Sequence, residues 1–260
     1  MTLQPAEHFV PFQFPALASL GPQGQVIPRE QLYQQARPDQ HVRQLFSQQV
    51  ASVRWRYKLA PDTLNIAGSK TVAEIQVLDI HLKPGCRALD TRILACLNKA
   101  IPSTLFFRLY RQQGGVQCAM ACKAAGETYS SGPLAGLYAC SRWLNTAQDN
   151  DQPRQKHALP VVQNMTALYT ALLRSLLPAP GRSGESLPAQ LQRIGQQLAL
   201  QRELATLQQK QRREKQFNRQ VELNQQINQL KQQLRAATDA APDSNDKPVP
   251  TVETTSDGTP

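Results

Sequence analysis

The stretch SVRWRYKLAPDTLNIAGSKTVAEIQVLDIHLK, residues 52–83, decides the fold class because it contains two segments with the alternation of a β-strand. In residues 52–59 apolar side chains occupy the odd positions and cationic ones occupy the even positions, which is typical of a half-buried strand. The cationic positions are Arg54, Arg56 and Lys58. In residues 72–83 the apolar positions change parity after Val77, which predicts either a β-bulge or a central strand buried on both faces.

Helices and further strands surround these two segments. Asp90 and Asn164 are good N-cap residues, and each precedes apolar residues at helical spacing. Residues 104–111 and 116–123 flank a Gln-Gln-Gly-Gly sequence and predict a β-hairpin. Helices and strands mixed in this order predict an α+β fold, a compact domain over residues 28–178 whose sheet is rich in antiparallel pairs.

Four segments before and after this domain differ from it in composition. Residues 1–27 are rich in Pro and Gln and predict an N-terminal arm that lies on the domain or is mobile. Residues 179–186 predict a linker, and residues 238–260 are acidic and without periodicity, which predicts disorder. In residues 187–237 Gln occupies 15 of 51 positions, and the remaining composition predicts a long helix that forms a coiled-coil arm.

An apolar seam runs along this predicted helix, and a lone helix would leave the seam uncovered. The seam residues are Leu191, Ile194, Leu198, Leu204, Leu207, Leu223, Ile227, Leu230 and Leu234. The polar stretch 210–219 interrupts the seam, so a hairpin bent there and a straight arm are both consistent with the sequence. We favour the straight arm because no Gly or Pro marks a turn. The seam then predicts self-association or a partner helix, and truncation after Ser186 is expected to leave a folded core.

The net charge is +10 and the isoelectric point is about 9.6. A row of cations on a strand suits a polyanion, whose phosphates release counterions on binding, although a solvated surface is the commonest reason for such a row. The candidate nucleic-acid-binding residues are Arg54, Arg56, Lys58, Lys70, Lys83, Arg212, Arg213, Lys215 and Arg219. Which nucleic acid they would bind stays open at this point.

A catalytic site would have to come from the second strand segment. Glu74, Asp79 and Lys83 have the residue types with which metal-dependent nucleases hold Mg²⁺ and polarise a phosphate, but spaced charges usually form the solvated side of a strand. The sequence GSKT at 68–71 lacks the glycines of a phosphate-binding loop. We therefore expect no hydrolytic activity, no cofactor and no bound metal.

Several classes of protein are excluded or disfavoured by composition. No run of about 18 apolar residues is present, so no membrane span is expected. The N-terminal residues lack the pattern of a secretory signal, and an odd number of cysteines, five, favours the reducing cytoplasm. Cys118 and Cys122 could begin a zinc site with Cys86, Cys96 or Cys140, but small buried apolar residues are the commoner explanation.

Four blocks of the sequence together resemble the bacterial and archaeal family called domain of unknown function 4391. They are WRYKLAPDTLNI (55–66), VAEIQVLDIHLK (72–83), KAIPSTLFFRL (99–109) and REKQFNRQVELNQQINQLKQQL (213–234). The resemblance implies an accessory subunit of a restriction-modification-like or anti-phage defence system, encoded beside a DNA methyltransferase and a helicase. It implies no catalytic residues.

Three functions follow as hypotheses. The first is a non-catalytic, DNA-associated adaptor that acts with that methyltransferase and helicase. The second is a divalent-metal-dependent nuclease subunit, and the third is a purely structural coiled-coil interaction protein.

Overall fold

The computed structural model describes residues 1–128, 132–145 and 157–239. It divides into two compact units, Met1–Ala199 and a second unit that starts at Leu200. The elements of the first unit are, in chain order, β1 (Phe12–Gln13), β2 (Gln25–Val26), α1 (Arg29–Ala36), α2 (Gln40–Gln49), β3 (Val50–Leu59), α3 (Pro61–Leu64), β4 (Ile75–Leu82), α4 (Thr91–Ala100), β5 (Thr104–Tyr110), β6 (Val116–Ala121), β7 (Tyr138–Cys140), β8 (His157–Ala158), α5 (Met165–Leu176) and the first part of α6 (Leu187–Arg213).

A six-stranded sheet in the order β2-β3-β4-β5-β6-β7 forms the centre of the first unit. Every neighbouring pair is antiparallel except β4 and β5, which are parallel and joined by α4. The short strands β1 and β8 form a separate parallel pair. The α+β class with a mostly antiparallel sheet is therefore confirmed.

Both faces of the sheet carry a hydrophobic core. One face, here the α5 face, packs against α5, the start of α6 and apolar residues from the first 18 positions. The other, the α4 face, packs against α1, α2 and α4. Along β4, Val77 contributes to the α5 face and Leu78 and Ile80 to the α4 face, so this strand is central and buried on both sides. The parity change in the sequence thus reflects burial on both faces.

Residues 1–27 are part of the first unit and are not a detached arm. The backbone N–H of Leu3 donates to the carbonyl of Tyr138 at 2.8 Å, and the N–H of Ala6 donates to the carbonyl of Cys140 at 2.8 Å. The segment therefore extends the sheet beyond β7 as a short parallel addition. Leu3, Ala6 and Phe9 are buried in the core of the α5 face.

The connection between α5 and α6 is fastened by polar contacts. The guanidinium of Arg193 donates to both carboxylate oxygens of Glu185, at 2.8 and 2.9 Å. The side chain of Gln190 is completely buried, accepts from Arg174 at 3.0 Å and donates to the carbonyl of Ala179 at 2.9 Å. Residues 179–186, expected to be a linker, are thereby held against the first turns of α6.

The second unit contains the rest of α6 and the helix α7 (Phe217–Asp239). The expectation of one long helix is wrong, because residues 214–216 separate two helices. The Gln211 side chain donates to the Asn224 side chain at 2.7 Å, whereas thirteen residues of continuous helix would span about 20 Å. The chain therefore reverses, and we call residues 200–239 the helical hairpin and residues 210–219 the hairpin tip.

A glutamate makes this reversal possible without Gly or Pro. The carboxylate of Glu214 accepts the backbone N–H groups of Lys215 and Gln216, both at 2.9 Å, so the two residues that precede α7 have hydrogen-bond partners. The side chain of Gln220 returns to the carbonyl of Glu214 at 2.6 Å. These hydrogen bonds replace the helical hydrogen bonds that are lost at the break. The segment is therefore a hairpin and not the straight arm that the sequence favoured.

Two other expectations concern the ends and the membrane. The sequence predicts disorder for residues 238–260, and the residues after Asp239 are outside the part of the chain that the structure describes. Among the helices that the structure describes, none is long and apolar enough to cross a membrane.

Candidate functional site

A buried ion pair lies on the α5 face where β4 and β5 run parallel. Asp79 and Arg108 are register partners, and the guanidinium Nε and Nη2 of Arg108 each donate to one carboxylate oxygen of Asp79 at 2.7 Å. The Asp79 side chain is only 8% exposed, and Arg56 approaches it to 4.0 Å. Its carboxylate is thus occupied by two cations of the protein itself.

Aromatic rings enclose this pair. The Arg108 guanidinium carbon lies 5.1 Å from the centre of the Tyr57 ring, 5.5 Å from Phe14 and 5.7 Å from Tyr110. His81 stacks on Tyr110 with ring centres 5.0 Å apart. Burial lowers the pKa of His81 and raises the pKa of Tyr110, so both rings are neutral at physiological pH. The ion pair and the rings thus form one contiguous cluster on the α5 face of the sheet.

The three nuclease candidates do not form one site. Glu74 accepts from the side chains of Gln76 at 2.6 Å and Ser103 at 2.8 Å. Burial acts to raise the pKa of Glu74, but the hydrogen bonds outweigh it and the pKa lies below its ordinary value.

Glu74 and Asp79 also lie on different faces of the sheet. Gln76, which donates a hydrogen bond to Glu74, lies between Ile75 and Val77, both of the α5 face, and therefore faces the other side of the sheet. Asp79 lies on the α5 face. Lys83 follows the end of β4. Across residues 1–128, 132–145 and 157–239, no three His, Cys, Asp or Glu side chains are arranged to hold a metal ion.

The cations of β3 do not form one continuous surface either. The register with β4 shifts between Trp55 and Tyr57, so Arg54 lies opposite Asp79 while Lys58 lies opposite Gln76. Lys58 is therefore on the α4 face, 3.5 Å from the carboxylate of Glu74.

The arginines of β3 are also occupied by the N-terminal segment. Arg54 donates to the carbonyl of Gln23 at 3.2 Å, and Arg56 donates to the carbonyl of Gly21. Lys70 and Lys83 lie outside β4, Lys70 in the irregular segment before it and Lys83 directly after its last residue. The structure does not bring these five cations together, and their contact with nucleic acid stays a prediction.

The cysteines do not form a zinc site among the described residues. Cys118 and Cys122 lie in the core of the α5 face, whereas Cys96 and Cys140 lie in that of the α4 face. Burial raises the pKa of the Cys118 thiol to about 12, so it stays protonated. All five thiols are free, and Cys86 is the one that is not buried.

A groove of about 630 Å³ runs along the first three turns of α5 and was not predicted. The hydroxyl of Thr166 is hydrogen-bonded to those of Ser69 and Thr71, which ties residues 68–71 to this helix. The four-residue spacing of Thr166, Thr170 and Arg174 is the sequence signal that could have indicated a polar stripe. Arg174 donates a hydrogen bond to the side chain of Gln190, so the lining of this groove contains no free cation.

The hairpin tip is the most cationic surface of the second unit. Its cations are Lys210, Arg212, Arg213, Lys215 and Arg219, and all five are exposed. Within the described part of the chain none of the five forms an ion pair. Lys210, Arg213 and Arg219 line a groove of about 380 Å³ together with Glu214 and Glu222. The carboxylate of Glu214 is committed to the backbone of the tip.

A family model described as "Domain of unknown function (DUF4391)" matches residues 12–234. The chain belongs to this family. The matched range of the DUF4391 chain includes the sheet, the α5–α6 connection and the hairpin tip. No curated protein and no solved structure matches it.

The predicted seam of the DUF4391 chain is distributed over both units. Leu191 and Ile194 are buried in the core of the α5 face, and Leu198 packs against that core. In the second unit Ile227 and Leu230 are buried. The remaining seam residues, Leu204, Leu207, Leu223 and Leu234, are half-buried. Much of the seam is thus covered within a single chain, and self-association through it stays a prediction.

Proposed function

We propose that this protein is a non-catalytic accessory subunit that associates with DNA through the hairpin tip. The observation that carries the proposal is the set of five exposed cations within ten residues, none of which is paired in the described part of the chain. Like charges this close repel one another, and a phosphate backbone relieves that repulsion while releasing its counterions. The net charge of +10 favours the same partner at longer range.

The biological setting is proposed from the family resemblance. The subunit would act as an adaptor in a cytoplasmic restriction-modification-like or anti-phage defence system, between DNA and a methyltransferase or helicase. A role without catalysis is supported by the engagement of the carboxylates. Asp79 is held by Arg108, and Glu74 by Gln76 and Ser103.

The test is the salt dependence of binding to duplex DNA. In the tip variant Arg212, Arg213 and Lys215 are each changed to Gln, and each lost phosphate contact reduces the slope of log K against log salt by about 0.9. We expect the slope to flatten by up to about 2–3.

A matched control variant removes the same number of positive charges at positions outside the tip. Arg202, Lys231 and Arg235 are also exposed cations of the helical hairpin but lie outside the tip, and changing them to Gln should leave the slope nearly unaltered. Equal slopes in the tip variant and the wild type would contradict the proposal. The protein would then be better described as a structural interaction protein whose charge confers solubility.

A further inference from the structure

The first residue of α7 is an exposed aromatic side chain that lies within the cationic tip in sequence, between Lys215 and Arg219. Phe217 is 76% exposed, and Val221, one helical turn later, is 40% exposed. Among the large apolar side chains that the structure describes as exposed, Phe217 is the one aromatic. Its neighbours in the chain, residues 214–216 and 218–220, are polar or charged, so the exposed apolar surface here consists of Phe217 and Val221.

The pair Phe217 and Val221 is too small to be a protein-docking surface by itself. A specific protein interface buries more than about 1,000 Å² in total, far beyond the area of two side chains. An exposed aromatic ring within a cationic segment instead matches the way that proteins bind single-stranded nucleic acid. There the cations follow the phosphates and the ring stacks on a base.

We infer that Phe217 is a stacking platform for an unpaired base, and that the hairpin tip prefers single-stranded nucleic acid to an intact duplex. The inference rests on the proposed function and names the class of ligand for the same site. In a duplex both faces of each base are covered by its neighbours, so a ring can stack only on a base that is unpaired or at an end. Lys215 and Arg219 are exposed cations two residues before and two residues after Phe217 in the chain.

The experiment compares binding of the full chain to a fluorescein-labelled oligothymidine strand and to a duplex of the same length by fluorescence anisotropy. Phe217→Ala should weaken binding of the single strand by about 5- to 150-fold, the range for loss of one stacked base. Binding of the duplex should change less than about twofold, because no phosphate contact is removed. Val221→Ala is the matched control and should leave both affinities unchanged.

A second variant tests stacking directly. Phe217→Trp should keep the affinity for the single strand, and the added indole fluorescence, measured as the difference from wild type, should be quenched on binding. Unaltered single-strand affinity in Phe217→Ala, an equal loss for both ligands, or an unquenched indole would each overturn the inference.

The salt slopes separate the two proposals. If the tip variant flattens the slope while Phe217→Ala leaves single-strand binding unaltered, the DNA-binding function stands and the stacking role falls. If the wild type binds neither ligand, both fall together.

Discussion

The position at which the first unit ends can be tested by two truncations. One chain stops after Ser186, where the sequence suggested the end of the core, and the other stops after Ala199, where the compact unit ends. We expect the longer chain to fold with nearly the stability of the first unit in the whole protein. The shorter chain should be strongly destabilised, because it lacks helical residues that belong to the core of the α5 face.

The size of the effect follows from three buried side chains. Leu187, Leu191 and Ile194 are 5%, 1% and 4% exposed, and each buried side chain of this kind contributes about 1.5–3 kcal/mol. Their loss amounts to roughly 4.5–9 kcal/mol. A domain is typically stable by about 5–15 kcal/mol. The shorter chain is therefore expected to be marginal or unfolded.

Urea unfolding followed by circular dichroism measures the difference. Two point variants test the same packing. Ile194→Ala should lower the free energy of unfolding by about 2–5 kcal/mol, whereas Leu204→Ala, at a half-buried position of the second unit, should lower it less. If the chain that ends at Ser186 unfolds at the same urea concentration and with the same m-value as the chain that ends at Ala199, the packing argument is refuted.

Three further predictions concern buried charges and thiols. Asp79→Asn leaves Arg108 buried without its carboxylate and should lower the free energy of unfolding by about 3–5 kcal/mol; changing both residues to Met should restore most of it, and no recovery in urea unfolding would contradict this. The hydrogen bond from Arg193 holds the pKa of Glu185 at about 2, below its ordinary 4.5. Its ion pair therefore stabilises fully above pH 4.5 and is lost as the pH falls towards 2, by at most about 3 kcal/mol; Glu185→Gln should show a flatter stability profile over that window, and an equal profile would count against the pair. Iodoacetamide should modify Cys86 first, because the other four thiols are buried; peptide mass spectrometry that finds equal labelling in the native protein would disprove this.

Alternation along the strands was sufficient to predict most of the first unit. The two segments of residues 52–83, the hairpin of β5 and β6, and the helices capped by Asp90 and Asn164 all form as the sequence predicts. These elements depend on local pattern, which a single sequence contains. The register between strands depends on contacts across the sheet, and the shift between Trp55 and Tyr57 therefore could not be predicted.

That one shift changes the interpretation of the cationic strand. Strict alternation places Arg54, Arg56 and Lys58 on one face, but the shift sends Lys58 to the other face, beside Glu74. A straight arm was favoured over the helical hairpin for a related reason. A turn made by the Glu214 carboxylate has no Gly or Pro to reveal it, and the polar stretch 210–219 was the only signal. Phe217, the single apolar residue in that stretch, was visible in the sequence but was not singled out.

The parallel segment that closes the edge of β7 has a consequence for synthesis on the ribosome. Leu3 and Cys140, in contact in the folded protein, are 137 residues apart in the chain. At about 5–20 residues per second, the segment waits roughly 7–27 s after its own translation before β7 exists. During that interval Leu3 and Phe9, both buried in the finished protein, are exposed on the nascent chain. The earliest part of the domain to be made is thus among the last to be placed.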